Sequence, residues 1–285
     1  MKNNYQAILR FIVAFAILVG GSISALAQNK WSYQDDGCGT TRWYGNPNNA
    51  FNLEIKEQTF SPPPKKLSID TRKNGGVRIR GWERNEIFIR ACVQAAGSDT
   101  DEARARTAAV RIESVEGVIR AVSPSDADGS YSFGASYDIR VPANTDLTIK
   151  TNNGGINISG ISGSIEFDLN NGGAIFDKIQ GDVRGQTVNG NLTFNLSGDK
   201  WEGGGVDART TNGNVLITTP ENYSARIETG TRRGNFRVNF PIEKTRDNNY
   251  TLNLDLGAGG AIIKAQTTNG QVSIRRRTTI KEVKK

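Results

Sequence analysis

The chain has 285 residues, a formal net charge of +7 and no histidine. Without histidine it lacks the commonest general base and the commonest metal ligand, and a Ser-His-Asp triad cannot be built. Its 32 glycines, with frequent Thr, Asn, Val and Ile, indicate an all-β protein with many turns.

Residues 1–27 read as a signal peptide. Lys2 and Arg10 make a basic start, residues 11–19 are an apolar run, and Ala25-Leu26-Ala27 is a small-x-small cleavage site. Cleavage after Ala27 removes two positive charges and no acids, so the mature charge is 7 − 2 = +5. Such an excess supports solubility and weak attraction to anionic surfaces, without implying nucleic-acid binding. Position 28 is Gln, so no lipid attachment is signalled there, and no later segment is apolar enough to span a membrane. The expected location is secreted, periplasmic or at the cell surface. In an oxidising compartment Cys38 and Cys92 could pair; the alternative is two separate thiols, with Cys92 buried in a strand over 87–93.

Residues 28–66 form a polar, aromatic N-terminal segment with Trp31, Tyr33, Trp43 and Tyr44. Its expected role is to cover the open end of a β stack, with an aromatic ligand platform as the alternative. Ser61-Pro62-Pro63-Pro64 reads as a stiff extended spacer. A single β-repeat domain is expected over 67–285. Strands are expected at 67–69, 77–82, 86–93, 118–122 and 131–141. A helix is expected over 99–112, capped by Ser98 or Asp99, with acids in its first turn. Arg104, Arg106 and Arg111 would form its polar face, and Ala105, Ala108, Ala109 and Ile112 a small apolar one.

From residue 147 one pattern recurs, its first copies 18 to 23 residues apart. Its centre is Asn153-Gly154, Asn171-Gly172, Asn189-Gly190, Asn212-Gly213 and Asn269-Gly270, with Asn74-Gly75 as an early outlier and Arg233-Gly234 filling one slot. Six residues before each turn stands Leu147, Ile165, Val183, Val206, Ile227 or Ile263. Five after it stands Ile158, Phe176, Phe194, Ile217, Val238 or Ile274. Alternate strand residues share a face, so each copy reads as strand, turn, strand with one apolar side. Asn and Gly tolerate the left-handed backbone that a sharp corner can need. A fixed period near 20 residues indicates a β-solenoid, a stack of coils burying each other's faces. The alternative is an antiparallel meander, in which Thr151 would face Ile156 across a hairpin. In the solenoid, Phe176 and Phe194 share an inward column.

Gly81-Trp82 with the strand after it, the Glu/Ala/Arg helix, the run Val141-Pro142-Ala143-Asn144-Thr145-Asp146-Leu147 and the Thr-x-Asn-Gly copies together resemble the DUF4097 family. These are adhesin-like or toast-rack domains of exported bacterial proteins. The resemblance covers roughly 67–277. It implies a β-helix-like stack outside the cytoplasm, linked by analogy to adhesion or envelope-stress systems, and it supplies no catalytic residues.

Chemistry is sparse. Asp126-Ala127-Asp128-Gly129 lacks the later glutamate of a calcium loop, and Gly257-Ala258-Gly259-Gly260 lacks the Lys-Ser/Thr of a phosphate loop. A carbohydrate-active solenoid could use two carboxylates across a groove, for instance Glu166 and Asp168 near Asp182. No catalytic residue, cofactor or metal is expected. The basic end, from Arg275 to Lys285, reads as an edge guard on the last coil or as a contact for anionic polymers. The expected function is an exported, non-enzymatic binding or scaffold module of the cell envelope. Its partner would be an envelope polysaccharide or another envelope protein. The alternatives are an envelope-stress-associated extracytoplasmic domain and a cryptic carbohydrate-active enzyme.

Overall fold

The computed structural model describes residues 49–71, 74–124, 133–242, 245–248 and 250–277. Residues 1–48, with the stretch expected to be a signal peptide and Cys38, lie outside them, as do Asp126, Asp128 and the tail from 278.

In chain order come β1 (Ala50–Phe60), β2 (Lys66–Asp70), β3 (Val77–Trp82), β4 (Ile87–Gly97), α1 (Thr100–Ala109), β5 (Arg111–Val115), β6 (Val118–Val122) and β7 (Phe133–Pro142). Four regular coils follow: β8 (Asp146–Asn153) with β9 (Ile156–Ser159), β10 (Ile165–Asn171) with β11 (Ala174–Asp177), β12 (Asp182–Asn189) with β13 (Leu192–Asn195), and β14 (Gly205–Asn212) with β15 (Val215–Thr219). The chain ends in β16 (Ala225–Arg233), β17 (Phe236–Val238), the hairpin β18 (Thr245–Asn248) and β19 (Thr251–Leu256), then β20 (Ile262–Asn269) and β21 (Val272–Arg276).

Each Asn-Gly corner carries the chain from one sheet to the other. The strand before it joins an eleven-stranded sheet and the strand after it a ten-stranded sheet. Successive coils pair in parallel: Ile165 stands beside Leu147 and Val183, and Phe176 beside Ile158 and Phe194. The fold is therefore an all-β solenoid-like stack. The meander is excluded, because Thr151 pairs with Leu169, and Ile156 with Ala174 and Val77.

The inward columns of the two sheets make one core. Leu147, Ile165, Val183, Val206, Ile263 and Ile227 follow one another in register and are buried. The Phe176 and Phe194 rings stack at 4.9 Å and 12°, and Phe167 meets Phe176 at 5.2 Å. Burying side chains of this size stabilises by about 1.5–3 kcal/mol each. Phe236 and Val238 are only partly buried, because β17 is the last strand of its sheet.

Spatial order departs from chain order at both ends. The pair β20 and β21 inserts between β14/β15 and β16/β17, so the coil at 225–238 is the last coil of the stack, with β19 and β18 beyond β16 in the eleven-stranded sheet. At the other end β6 and β7 lie outside β2 and β3. The basic run at 275–277 therefore does not guard the last coil. Arg276 lies over the Phe240 ring at 4.1 Å, and Arg277 donates to the Leu196 carbonyl at 2.6 Å.

The helix is shorter than the sequence pattern suggests. Asp99 caps it, accepting from the Glu102 N–H at 2.8 Å, and Val110 is already extended. Its inward residues are Ala103 and Thr107, one turn apart, while Ala105, Ala108 and Ala109 are exposed. Seating against β1 decides this, since the Asn52 amide donates to the Thr107 hydroxyl at 2.6 Å. Strand β1, within the segment read as a cap, pairs antiparallel with β4 along its whole length and forms one edge of the ten-stranded sheet. The run at 257–260 is a turn, with Gly257 at φ 56° and Gly259 at φ 73°.

Candidate functional site

The corner is built from three columns. Asn74, Asn153, Asn171, Asn189, Asn212 and Asn269 form an amide ladder, each side-chain N–H donating to the previous carbonyl oxygen at 2.7–3.0 Å. Arg233 stands beside Asn269 and ends it. Behind the ladder, the buried hydroxyls of Thr187, Thr210, Thr267 and Thr231 donate to the carbonyls of Gly172, Gly190, Gly213 and Gly270 at 2.7–2.8 Å. A buried hydroxyl needs such a partner, and the glycine carbonyls of this corner supply one for each threonine of the column.

The glycine column has a different cause from the one its turn chemistry suggests. Gly154, Gly172, Gly190 and Gly213 do not adopt positive φ. A Cβ on any of them would instead press into the backbone carbonyl of the glycine in the adjoining coil. Coils meet backbone to backbone here, and only glycine allows that approach.

The missing side chains leave an open trough of about 1040 Å³ on the outward side of the ten-stranded sheet. It crosses β4, β7, β3, β9, β11 and β13. Gly75, Gly76, Gly154, Gly155, Gly173 and Gly190 line its corner side, and Gln94, Ser136, Asn157, Ile175 and Thr193 stand along it. Ile175 is 42% exposed, an apolar step in a polar wall. Cys92 lies at the β4 end, on the outward side of its strand yet buried. Six adjacent strands give five spacings of about 4.8 Å, a length of about 24 Å.

The outward face of the eleven-stranded sheet is a charge lattice. Glu166, Arg184, Asp207, Lys264 and Glu228 follow one another in register with alternating sign, and beside them run Asp70, Lys150 and Asp168. Opposite charges in neighbouring register positions attract, which makes this a solvated, mutually neutralised surface. Glu166 and Asp168 belong to it and face solvent with cations beside them. Asp182 instead accepts from the Gly204 N–H. The sequence grouped these three carboxylates; the structure does not bring them into one cleft.

The groups with shifted titration lie elsewhere. A hydrogen bond from the Ser164 N–H lowers the Asp146 carboxyl, and bonds from Ser98 lower Glu102. Burial pushes the Tyr223 phenol up, with Asp199 and Glu202 adding to the effect. None of the three lines the trough. Among the described residues no three of Cys, Asp and Glu gather as metal ligands, and no helix is long and apolar enough to cross a membrane. The trough drew no notice in the sequence because absent side chains make it.

Parallel coils, one repeated corner, an open trough and a charge-paired outer face define a solenoid-like β module with extended surfaces. Residues 144–275 match the family described as Toastrack DUF4097, the family that the sequence motifs resemble. Three solved structures are similar at low identity. A candidate cell adhesion protein from Clostridium sporogenes is 12% identical, with a TM-score of 0.43 over 80% of this chain and 100% of its own. A candidate adhesin from Bacteroides fragilis is 11% identical, with a TM-score of 0.37 over 79% and 97%. A candidate lipid binding protein from Parabacteroides distasonis is 10% identical, with a TM-score of 0.28 over 80% and 97%. No curated protein matches the chain.

Proposed function

We propose that the protein is an exported, non-enzymatic binding module of the cell envelope, and that its trough holds an extended stretch of envelope polysaccharide. The trough itself carries this reading. It is long and open, and each successive strand adds one side chain to it, from Gln94 through Ser136, Arg78, Asn157 and Ile175 to Thr193, which suits an extended polymer better than a small molecule. Its walls offer amides, hydroxyls and the Arg78 guanidinium rather than paired carboxylates, and the shifted titrating groups lie outside it. The signal-like start at 1–27 and the excess of positive charge fit a protein exported to an anionic envelope.

The test incubates the purified chain with envelope polysaccharide and with peptidoglycan, and follows both retention and product formation. Retention without product is the expected result. Asn157→Trp and Thr193→Trp should each lower it, because a large ring there obstructs the trough. Turnover that Asp168→Asn abolishes would overturn the non-enzymatic reading. Retention unchanged in both tryptophan variants would move binding away from the trough.

A further inference from the structure

The charge lattice fails in one place. Strands β14, β20, β16 and β19 bring Arg209, Gln266, Gly230 and Thr251 into one row, and Arg232 lies one step along β16 on the same face. Other coils fill the Gly230 position with Lys150, Asp168, Gln186, Arg209 or Gln266. Here it stays empty, because a Cβ would lie 2.9 Å from the Tyr250 carbonyl oxygen. Arg232 takes the slot of Thr268, and Arg233 that of Asn269. The outcome is a hollow of about 710 Å³ lined by Arg209, Arg232 and Arg233, with the side chains of Thr251, Gln266 and Thr268 between them.

Among the described residues no carboxylate lines this hollow. Arg209 reaches Asp207 at 3.6 Å, and among the described residues no acid lies within 4.0 Å of Arg232 or Arg233. Elsewhere on this face cations alternate with anions, whereas among the described residues Arg232 and Arg233 have no such partner. Guanidinium groups present planar forks of donors that match the oxygens of a phosphate group.

We infer that this hollow is a binding seat for a phosphate-type oxyanion carried on a larger molecule. It lies on the sheet opposite the trough and stands without it. Arg232 and Arg233 supply the uncompensated charge, Arg209 the opposite wall, and Gly230 the space between.

The purified chain is titrated at low ionic strength with short-chain inorganic polyphosphate, and separately with phosphatidylglycerol and phosphatidylcholine vesicles. Arg232→Gln/Arg233→Gln should weaken binding about tenfold or more, the loss of charge-assisted hydrogen bonds. The control Arg104→Gln/Lys178→Gln removes the same charge at exposed positions elsewhere and should change affinity less than about twofold. Binding to polyphosphate alone assigns the anion to a soluble polymer; binding to phosphatidylglycerol alone assigns it to a lipid headgroup. Both support the seat. Equal weakening in the two double variants, or no binding to either phosphate probe, would overturn it.

Discussion

Replacing Gly190 by alanine tests why the corner carries glycine. A Cβ at this position comes closer than 3.0 Å to three backbone atoms of the adjoining coil: Gly172 O, Gly172 C and Gly173 N. Relief requires the two coils to part by about 1 Å, and main chain cannot swing aside as a side chain can. Parting also strains the Gly172 N–H bond to Asn189 O at 2.9 Å and the Thr187 hydroxyl bond to Gly172 O at 2.8 Å. Overpacking typically costs about 1–3 kcal/mol, and the strained bonds place this site at about 3 kcal/mol or more. The comparison is Gly198→Ala. Gly198 has φ 76°, and a Cβ there meets nothing nearer than Lys200 O at 4.0 Å, so its cost is the left-handed backbone alone, about 1–2 kcal/mol. Urea denaturation of both variants decides between the causes. Gly190→Ala should be the more damaging. A loss under about 1 kcal/mol at Gly190, or a larger one at Gly198, would refute close backbone approach as the reason for the glycine column.

Phe194→Ala empties a fully buried site stacked on Phe176 and should cost about 3–5 kcal/mol by chemical denaturation; a loss under about 1 kcal/mol would contradict its place in the core. The carboxyl of Asp146 is lowered by the Ser164 N–H, so its stabilisation is complete above the ordinary carboxylate value and is lost as pH falls through the lowered one. Asp146→Asn should accordingly melt below the parent near neutral pH, and the gap should close as pH drops from about 5 to about 2; a gap constant with pH would be the contrary result. Cys38, outside the described residues, is proposed to pair with Cys92, which would tether the N-terminal segment at the β4 end of the trough. A bridge across such a loop contributes about 4 kcal/mol in the chain-entropy model. Mass spectrometry of the unreduced, exported protein should find no alkylatable thiol, and two would end the idea.

What the sequence made legible was whatever repeats as a side chain. The columns through Ile165, Thr187 and Phe194 alternate with period two, and alternation follows directly from strand geometry. The order of coils was hidden for the same reason. Because β20 carries the column identities of β14 and of β16 alike, nothing local says that it inserts between them. The one available signal was Leu252, Leu254 and Leu256, a buried alternating run that marks the returning strand β19. Strand β1 was obscured because Phe51, Leu53 and Ile55 alternate on its exposed face, where apolar residues are not expected. The helix face went astray because small alanines carry little amphipathic signal, and its seating rests on a contact from Asn52. The trough leaves no mark at all in a string of residue types, since it is the space above the glycine positions.

Binding measured against polymer length tests the proposed trough most directly. An oligosaccharide series prepared from the retained polymer is titrated into the purified chain by calorimetry. Affinity should rise with each added unit until the ligand spans about 24 Å, the reach of six adjacent strands, and then level off. Asn157→Trp should flatten the rise. An affinity already complete for a single unit, and unchanged by that substitution, would contradict an extended binding trough.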